Sequence, residues 1–143
     1  MVQLLLALHA AATLLMTGLA WFVAVVHYPL MAEIGRPEFP GYERLHRQRT
    51  TWLAAPLMLA EAGLAAWLAV FPPPAVPSWQ VHTAAALLVA IWLSTFAVQV
   101  PLHERLSQGF DSRAHRRLVA THWGRTFGWT LRSVLALSWL AMQ

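Results

Sequence analysis

Cysteine and lysine are both missing from this sequence. Without cysteine there are no disulfides, thiolate metal sites, iron–sulfur clusters or cysteine nucleophiles. Without lysine there is no Schiff-base chemistry and no lysine general base. Charge of either sign is scarce. Only 11% of the 143 residues are Asp, Glu, Lys or Arg, against about 25% in a soluble domain. That leaves too little charge to cover a water-facing surface, which excludes an ordinary soluble enzyme, a disordered chain and a nucleic-acid-binding domain. What is present is apolar: 58% of residues are hydrophobic and the mean hydropathy is +0.51. All ten basic residues are arginine, and they outweigh six acidic ones to give a net charge of +4.

A membrane-spanning helix needs about 20 mostly apolar residues. The sequence predicts an all-α, polytopic integral membrane four-helix bundle, a single domain over 1–143 with spans at about 2–28, 50–71, 79–100 and 121–142. The first segment carries no charge, is too long for a signal-peptide core and lacks a basic lead-in, so it is expected to be retained. Proline is expected to end two spans, at Pro72-Pro73-Pro74 and at Pro101, because it lacks the amide donor and clashes with the preceding turn. Asp111 or Ser112 is placed to cap a helix that starts outside the bilayer, carries Arg113, Arg116 and Arg117, and runs on into the fourth span.

Orientation follows from the arginines. Arg36, Arg44, Arg47 and Arg49 lie between the first two spans. Arg105, Arg113, Arg116, Arg117 and Arg125 lie between or just inside the last two. The termini and the 72–78 turn have none. The positive-inside rule makes the arginine-rich side cytoplasmic and puts both termini on the non-cytoplasmic side, as a multi-pass protein of the bacterial inner membrane. Trp52, Trp79, Trp123 and Trp139 fall near span ends, as interfacial anchors, while Trp21, Trp67, Trp92 and Trp129 fall deeper, in packing or lipid contact.

Two charges lie at membrane depth, where such groups usually face the protein interior. Glu61 is eleven residues beyond Thr50, roughly 16 Å along a helix at about 1.5 Å per residue. Arg132 is nine residues beyond Trp123 and descends from the same side. The two are expected to pair, as catalytic or ligand-binding groups or as a clamp fixing helix register. Helical phase adds polar faces: Thr13, Thr17 and Tyr28 on the first span, Thr95, Gln99 and His103 on the third, Thr121 and Arg125 on the fourth. Turned inward, these faces predict a polar funnel open to the cytoplasm, with Tyr28, Gln99, Arg125, Thr17 and Thr95 as ligand-binding residues above Glu61 and Arg132.

Seven histidines invite a metal or haem reading. His27, His46, His103 and His122 belong to the cytoplasmic end, and Glu43 with His46 forms a Glu-x-x-His pair on one helical turn. These five are the candidate metal ligands. His27 and His122 are the pair best matched in depth for haem. Interfacial histidines at headgroup level account for the same pattern without a cofactor.

Four segments, His27-Tyr28-Pro29-Leu30, Tyr42-Glu43-Arg44-Leu45-His46-Arg47, Gln99-Val100-Pro101-Leu102-His103 and His122-Trp123-Gly124-Arg125, together resemble a group of small uncharacterised bacterial four-span membrane proteins. In architecture the chain is also similar to HemJ-type protoporphyrinogen oxidase and to anthrone-oxygenase-like proteins. The first similarity implies haem held through a first-helix histidine; that family also uses a lysine, which this chain lacks. The second implies cofactor-free chemistry. The leading expectation is a pocket for a small amphiphilic or anionic ligand such as a lipid, quinone or porphyrin-like molecule. The rivals are a haem- or metal-dependent oxidoreductase and an accessory subunit of a larger membrane complex. Expected partners are the lipid bilayer and that ligand, with a homo-oligomer or larger complex open and nucleic acid excluded.

Overall fold

The computed structural model describes residues 1–142. They form four long helices: α1 (Val2–Met31), α2 (Phe39–Val70), α3 (Ser78–Leu106) and α4 (Ser112–Ala141). The fold is all-helical, and α1, α2 and α3 are each long and apolar enough to cross a membrane. Successive helices run antiparallel. Each packs on two neighbours, α1 on α4 and α2, and α3 on α4 and α2.

Three apolar layers hold the helices together. One, at the end bearing both termini, joins Leu6, Leu68, Val81 and Trp139. The middle layer joins Met16, Met58, Leu88, Ile91 and Trp129. The third, at the opposite end, joins Tyr28, Met31, Phe39, Leu106 and Leu118. Outside these layers the surface is apolar too: Leu15, Phe22, Leu53, Leu59, Val89 and Leu93 are all exposed. So broad an apolar surface is not one that a water-soluble monomer presents.

The helices outrun the spans read from the sequence. Segments 29–49 and 101–120 were expected to be mostly connection, yet only residues 32–38 and 107–111 lie between helices. Pro29 and Pro101 do not end their helices because a π-helical turn precedes each, Val23–His27 in α1 and Thr95–Gln99 in α3. There the Tyr28 amide donates to the Val23 carbonyl and the Val100 amide to that of Thr95, five residues back. The widened turn takes up the clash that a proline ring makes with the carbonyl four residues before it. The same device occurs twice, in Val26-His27-Tyr28-Pro29-Leu30 and Val98-Gln99-Val100-Pro101-Leu102, so α1 and α3 share this construction.

α2 does stop where the sequence indicates, at Val70 ahead of Pro72. α4 starts on the Asp111 cap, whose carboxylate accepts from the Arg113 amide at 2.8 Å and the Ala114 amide at 3.1 Å. Those bonds, with Ala114 foremost and Arg105 adding its charge, hold the Asp111 carboxyl below its ordinary pKa. Gly109, at φ +155°, makes the turn into this cap.

α4 is less apolar than the other three because it carries Arg125 and Arg132 in its inner turns. Its polar residues face protein, with His122, Thr126, Arg132 and Ser133 all buried. Its apolar residues Phe127, Leu131, Val134 and Leu137 are exposed and form one stripe at helical spacing. α4 meets α3 closely at Gly128, where an added Cβ would lie 3.1 Å from Ile91 Cδ1. Gly128→Val is therefore expected to cost about 1–3 kcal/mol by overpacking that seam. A lowered thermal unfolding midpoint in detergent checks it, and an unchanged midpoint would show that Ile91 yields freely.

Candidate functional site

The deepest polar cluster spans all four helices near the end that bears the termini. Arg132 of α4 donates to the Glu61 carboxylate of α2 and to the Ala84 carbonyl of α3. From α1, the Thr13 hydroxyl donates to Glu61 Oε1 at 3.3 Å, and His9 Nε2 lies 3.6 Å from the same oxygen. His9 stacks on Trp139 at 5.5 Å between ring centroids. The side chains of Glu61 and Arg132 are both 0% exposed. One atom of each charged group, Glu61 Oε2 and Arg132 Nε, has no partner. The structure thus brings Glu61 and Arg132 together and adds His9, from the N-terminal end of the first span. Counting from the helix ends would have found it, since His9, Glu61, Ala84 and Arg132 are all six to nine residues from that end.

A second cluster occupies the arginine-rich end. Tyr28 of α1 hydrogen-bonds His103 Nε2 of α3 at 3.1 Å, and His103 Nδ1 lies 2.6 Å from Glu43 Oε1 of α2. A carboxylate only accepts, so Nδ1–H donates to Glu43 and, in the neutral imidazole, Nε2 accepts from the Tyr28 hydroxyl. Glu43 and Tyr28 are buried. The chain phenol–imidazole–carboxylate fixes the tautomer of His103 and can pass a proton toward or away from Tyr28. His27 and His46 stack face to face beside it, 4.0 Å between centroids. His122 donates from Nε2 to the Ala20 carbonyl at 3.0 Å, and His115 donates to the Tyr28 carbonyl at 2.9 Å. These two histidines satisfy carbonyls flanking the π turn of α1, where helical pairing is disrupted.

Between the clusters lies a cavity of about 420 Å³, walled by all four helices. Of the ligand residues expected from sequence, Tyr28, Thr95, Gln99 and Arg125 line it. Thr17 does not. It sits in the seam between α1 and α4, 2.7 Å from Ser133 Oγ and donating to the Trp129 carbonyl at 3.0 Å. Nor do Glu61 and Arg132 form the funnel's floor. Met16, Met58 and Trp129 close it one helical turn above them, and the Arg132 guanidinium lies under the Trp129 ring at 5.7 Å.

Among the described residues, four that line the cavity carry a side-chain polar atom that is buried without a partner: Arg125 Nε, Gln99 Oε1, Trp92 Nε1 and Trp129 Nε1. Among the described residues Arg125 has no acidic neighbour, and its one side-chain hydrogen bond is to His122 Nδ1 at 3.4 Å. Sequence reasoning gave Trp92 and Trp129 to packing or lipid, because helical phase alone does not separate a cavity wall from a core. Trp139 was expected to anchor at an interface, but it is 1% exposed and donates to Gln80 Oε1 at 2.9 Å.

The metal candidates fare differently. His27, His46, His103 and Glu43 do come together, with His122 reaching them through the Tyr28 ring at 5.0 Å. Yet among the described residues no three His, Asp or Glu side chains are placed to hold one metal ion. Stacked rings turn their faces to each other rather than their nitrogens to a common point, and Glu43 is already engaged by His103. Haem fits no better. Neither first-helix histidine lines the cavity: His9 is buried against Trp139 and Glu61, and His27 is stacked on His46.

Comparison with protein-family models, with curated proteins and with solved structures finds no match to this chain.

Proposed function

We propose that this chain is a four-span protein of the bacterial cytoplasmic membrane that binds a small anionic amphiphile in the cavity beneath its arginine-rich end. The observation that carries the reading is the set of four residues lining one cavity that each hold a buried, unpartnered polar atom, Arg125 Nε among them. Buried polar groups are nearly always hydrogen-bonded, and leaving one unpaired costs about 1–3 kcal/mol. Four of them around one space are an arrangement that a ligand completes. Arg125 asks for an anion, the indole N–H groups for oxygen acceptors, and Gln99 Oε1 for a donor.

Two features support a fourth span and the orientation. The exposed stripe of Phe127, Leu131, Val134 and Leu137 gives α4 an apolar face for lipid while its inner arginines, Arg125 and Arg132, face protein. Nine of the ten arginines lie toward the end that carries the 32–38 and 107–111 connections; the tenth, Arg132, is buried, and the termini and the 72–78 turn carry none. That asymmetry orients the termini away from the cytoplasm.

Dodecyl phosphate is a suitable probe, as it joins one anionic head to one alkyl chain. Protein in nanodiscs is expected to bind it saturably, and Arg125→Gln to weaken binding about tenfold or more, which is about 1.4 kcal/mol. Unchanged affinity in Arg125→Gln, or no saturable binding to the unaltered protein, would overturn the reading.

A further inference from the structure

A groove adjoins the cavity, the two sharing wall residues. This open groove of about 520 Å³ runs down the outer seam of α2 and α3, lined by Ala62, Ala66, Ala85, Val89, Leu93 and Phe96 among others. Its lining is entirely apolar up to Trp92, and Trp92 and Phe96 belong to the walls of both the groove and the cavity. Small residues keep the seam shallow on both helices: Ala62, Ala65 and Ala66 face Ala85. At the junction stands the Trp92 indole N–H, buried and without a partner. From Phe96 to Ala85 the groove follows about three turns of α3, roughly 16 Å at about 1.5 Å per residue.

The geometry points to a lateral route: the occupant is a single-chain amphiphile drawn from the bilayer, whose head enters the cavity while its tail stays outside, lying in the α2–α3 groove. This rests on the four-span, anion-binding reading above and adds to it the class of ligand and the path it takes. The physical reason lies in where the tail would otherwise go. A cavity closed to lipid would require an alkyl chain to be enclosed within 420 Å³ together with its head. An open seam lets the chain remain in hydrocarbon throughout. The groove walls then add little attraction of their own, since lipid tails are as apolar as they are; the groove supplies the space that the tail must occupy while the head is bound, so filling it excludes the bound state. The ligand's polarity follows the same axis. An anionic group meets Arg125, an oxygen acceptor at the head of the chain meets Trp92 Nε1, and the chain passes Phe96 toward Ala85. Gln99 Oε1 and Trp129 Nε1, on residues 2% and 0% exposed, mark where the head sits.

The test separates head from tail. Ala66 is exposed, so Ala66→Phe fills the groove without touching the core; Ala85→Phe fills it from the other wall. In nanodiscs, both variants are expected to weaken dodecyl phosphate binding about tenfold or more while leaving butyl phosphate, which has no chain to place, within about twofold of the unaltered protein. Arg125→Gln weakens both probes. If Ala66→Phe and Ala85→Phe leave dodecyl phosphate unaffected, or weaken both probes alike, the lateral route is wrong while the cavity reading stands. If the unaltered protein binds neither probe, it is the cavity reading that fails, and the route with it. A third outcome also overturns the route: cross-linking through Ala66 that yields a dimer, lost in Ala66→Phe with probe binding unchanged, would assign the groove to a second copy of the chain.

Discussion

Arg132→Met is expected to destabilise the protein by about 3–5 kcal/mol, because it leaves the Glu61 carboxylate buried without its cation. Glu61 is 0% exposed, and its remaining contacts, the Thr13 hydroxyl at 3.3 Å and His9 at 3.6 Å, are too long to replace a guanidinium. The converse change, Glu61→Leu, strands Arg132 with one carbonyl, that of Ala84, and a distant His9 nitrogen. The double variant Glu61→Leu with Arg132→Met removes both charges at similar volume and is expected to recover most of the loss. A buried pair replaced by packed apolar groups is often neutral or stabilising. That contrast follows from the incompleteness of the cluster, in which Glu61 Oε2 and Arg132 Nε lack partners. Its value is in register: one arginine ties α4 to both α2 and α3. Unfolding free energies of the two singles and the double in mixed micelles decide the matter. A single-variant cost below about 1 kcal/mol would mean that water already reaches the pair.

How much of this was readable in the sequence depends on which force fixes each feature. Helix number, the stop before Pro72 and the Asp111 cap are local effects of composition and backbone chemistry, and they were legible. The partnership of Glu61 with Arg132 was legible because the cost of lone charges at depth leaves few alternatives. The persistence of α1 through Pro29 and of α3 through Pro101 was not. A proline signals a helix end unless a π turn absorbs it, and nothing in Val23–His27 announces that turn. The hydrogen-bonded contact between His103 and Glu43 was not legible for a related reason. Residue type suggested metal ligation, whereas the tertiary fold sets the two at 2.6 Å with Tyr28 beyond, as one hydrogen-bonded chain. Thr17 was a matter of phase: it lies on the polar stripe, but that stripe turns toward the α4 backbone and not the cavity.

The floor of the cavity gives the second large effect. Trp129 is fully buried among Met16, Met58, Leu88 and Ile91, and its ring, with Met16 and Met58, lies between the cavity and the Arg132 guanidinium below. Trp129→Ala is expected to cost about 3–5 kcal/mol through lost burial and the void it leaves. Trp129→Phe, which keeps an aromatic floor, should cost less. The more telling quantity is the coupling to the ion pair. With the indole gone, the void joins a cavity that already holds polar wall atoms, so water can descend to Glu61 and Arg132. Removing Arg132 then strands a hydrated carboxylate rather than a dry one. Arg132→Met should therefore cost less in the Trp129→Ala background than alone, by about 1–3 kcal/mol, a coupling of the size that residues in contact show. Four unfolding measurements, on the unaltered protein, each single variant and the double, give the coupling directly. Strict additivity would mean that the void stays dry and that the two polar clusters are isolated by more than this one side chain. A double-variant cost smaller than the sum of the singles would place Trp129 as the partition between a wet half of the interior and a dry half whose ion pair fixes the helices.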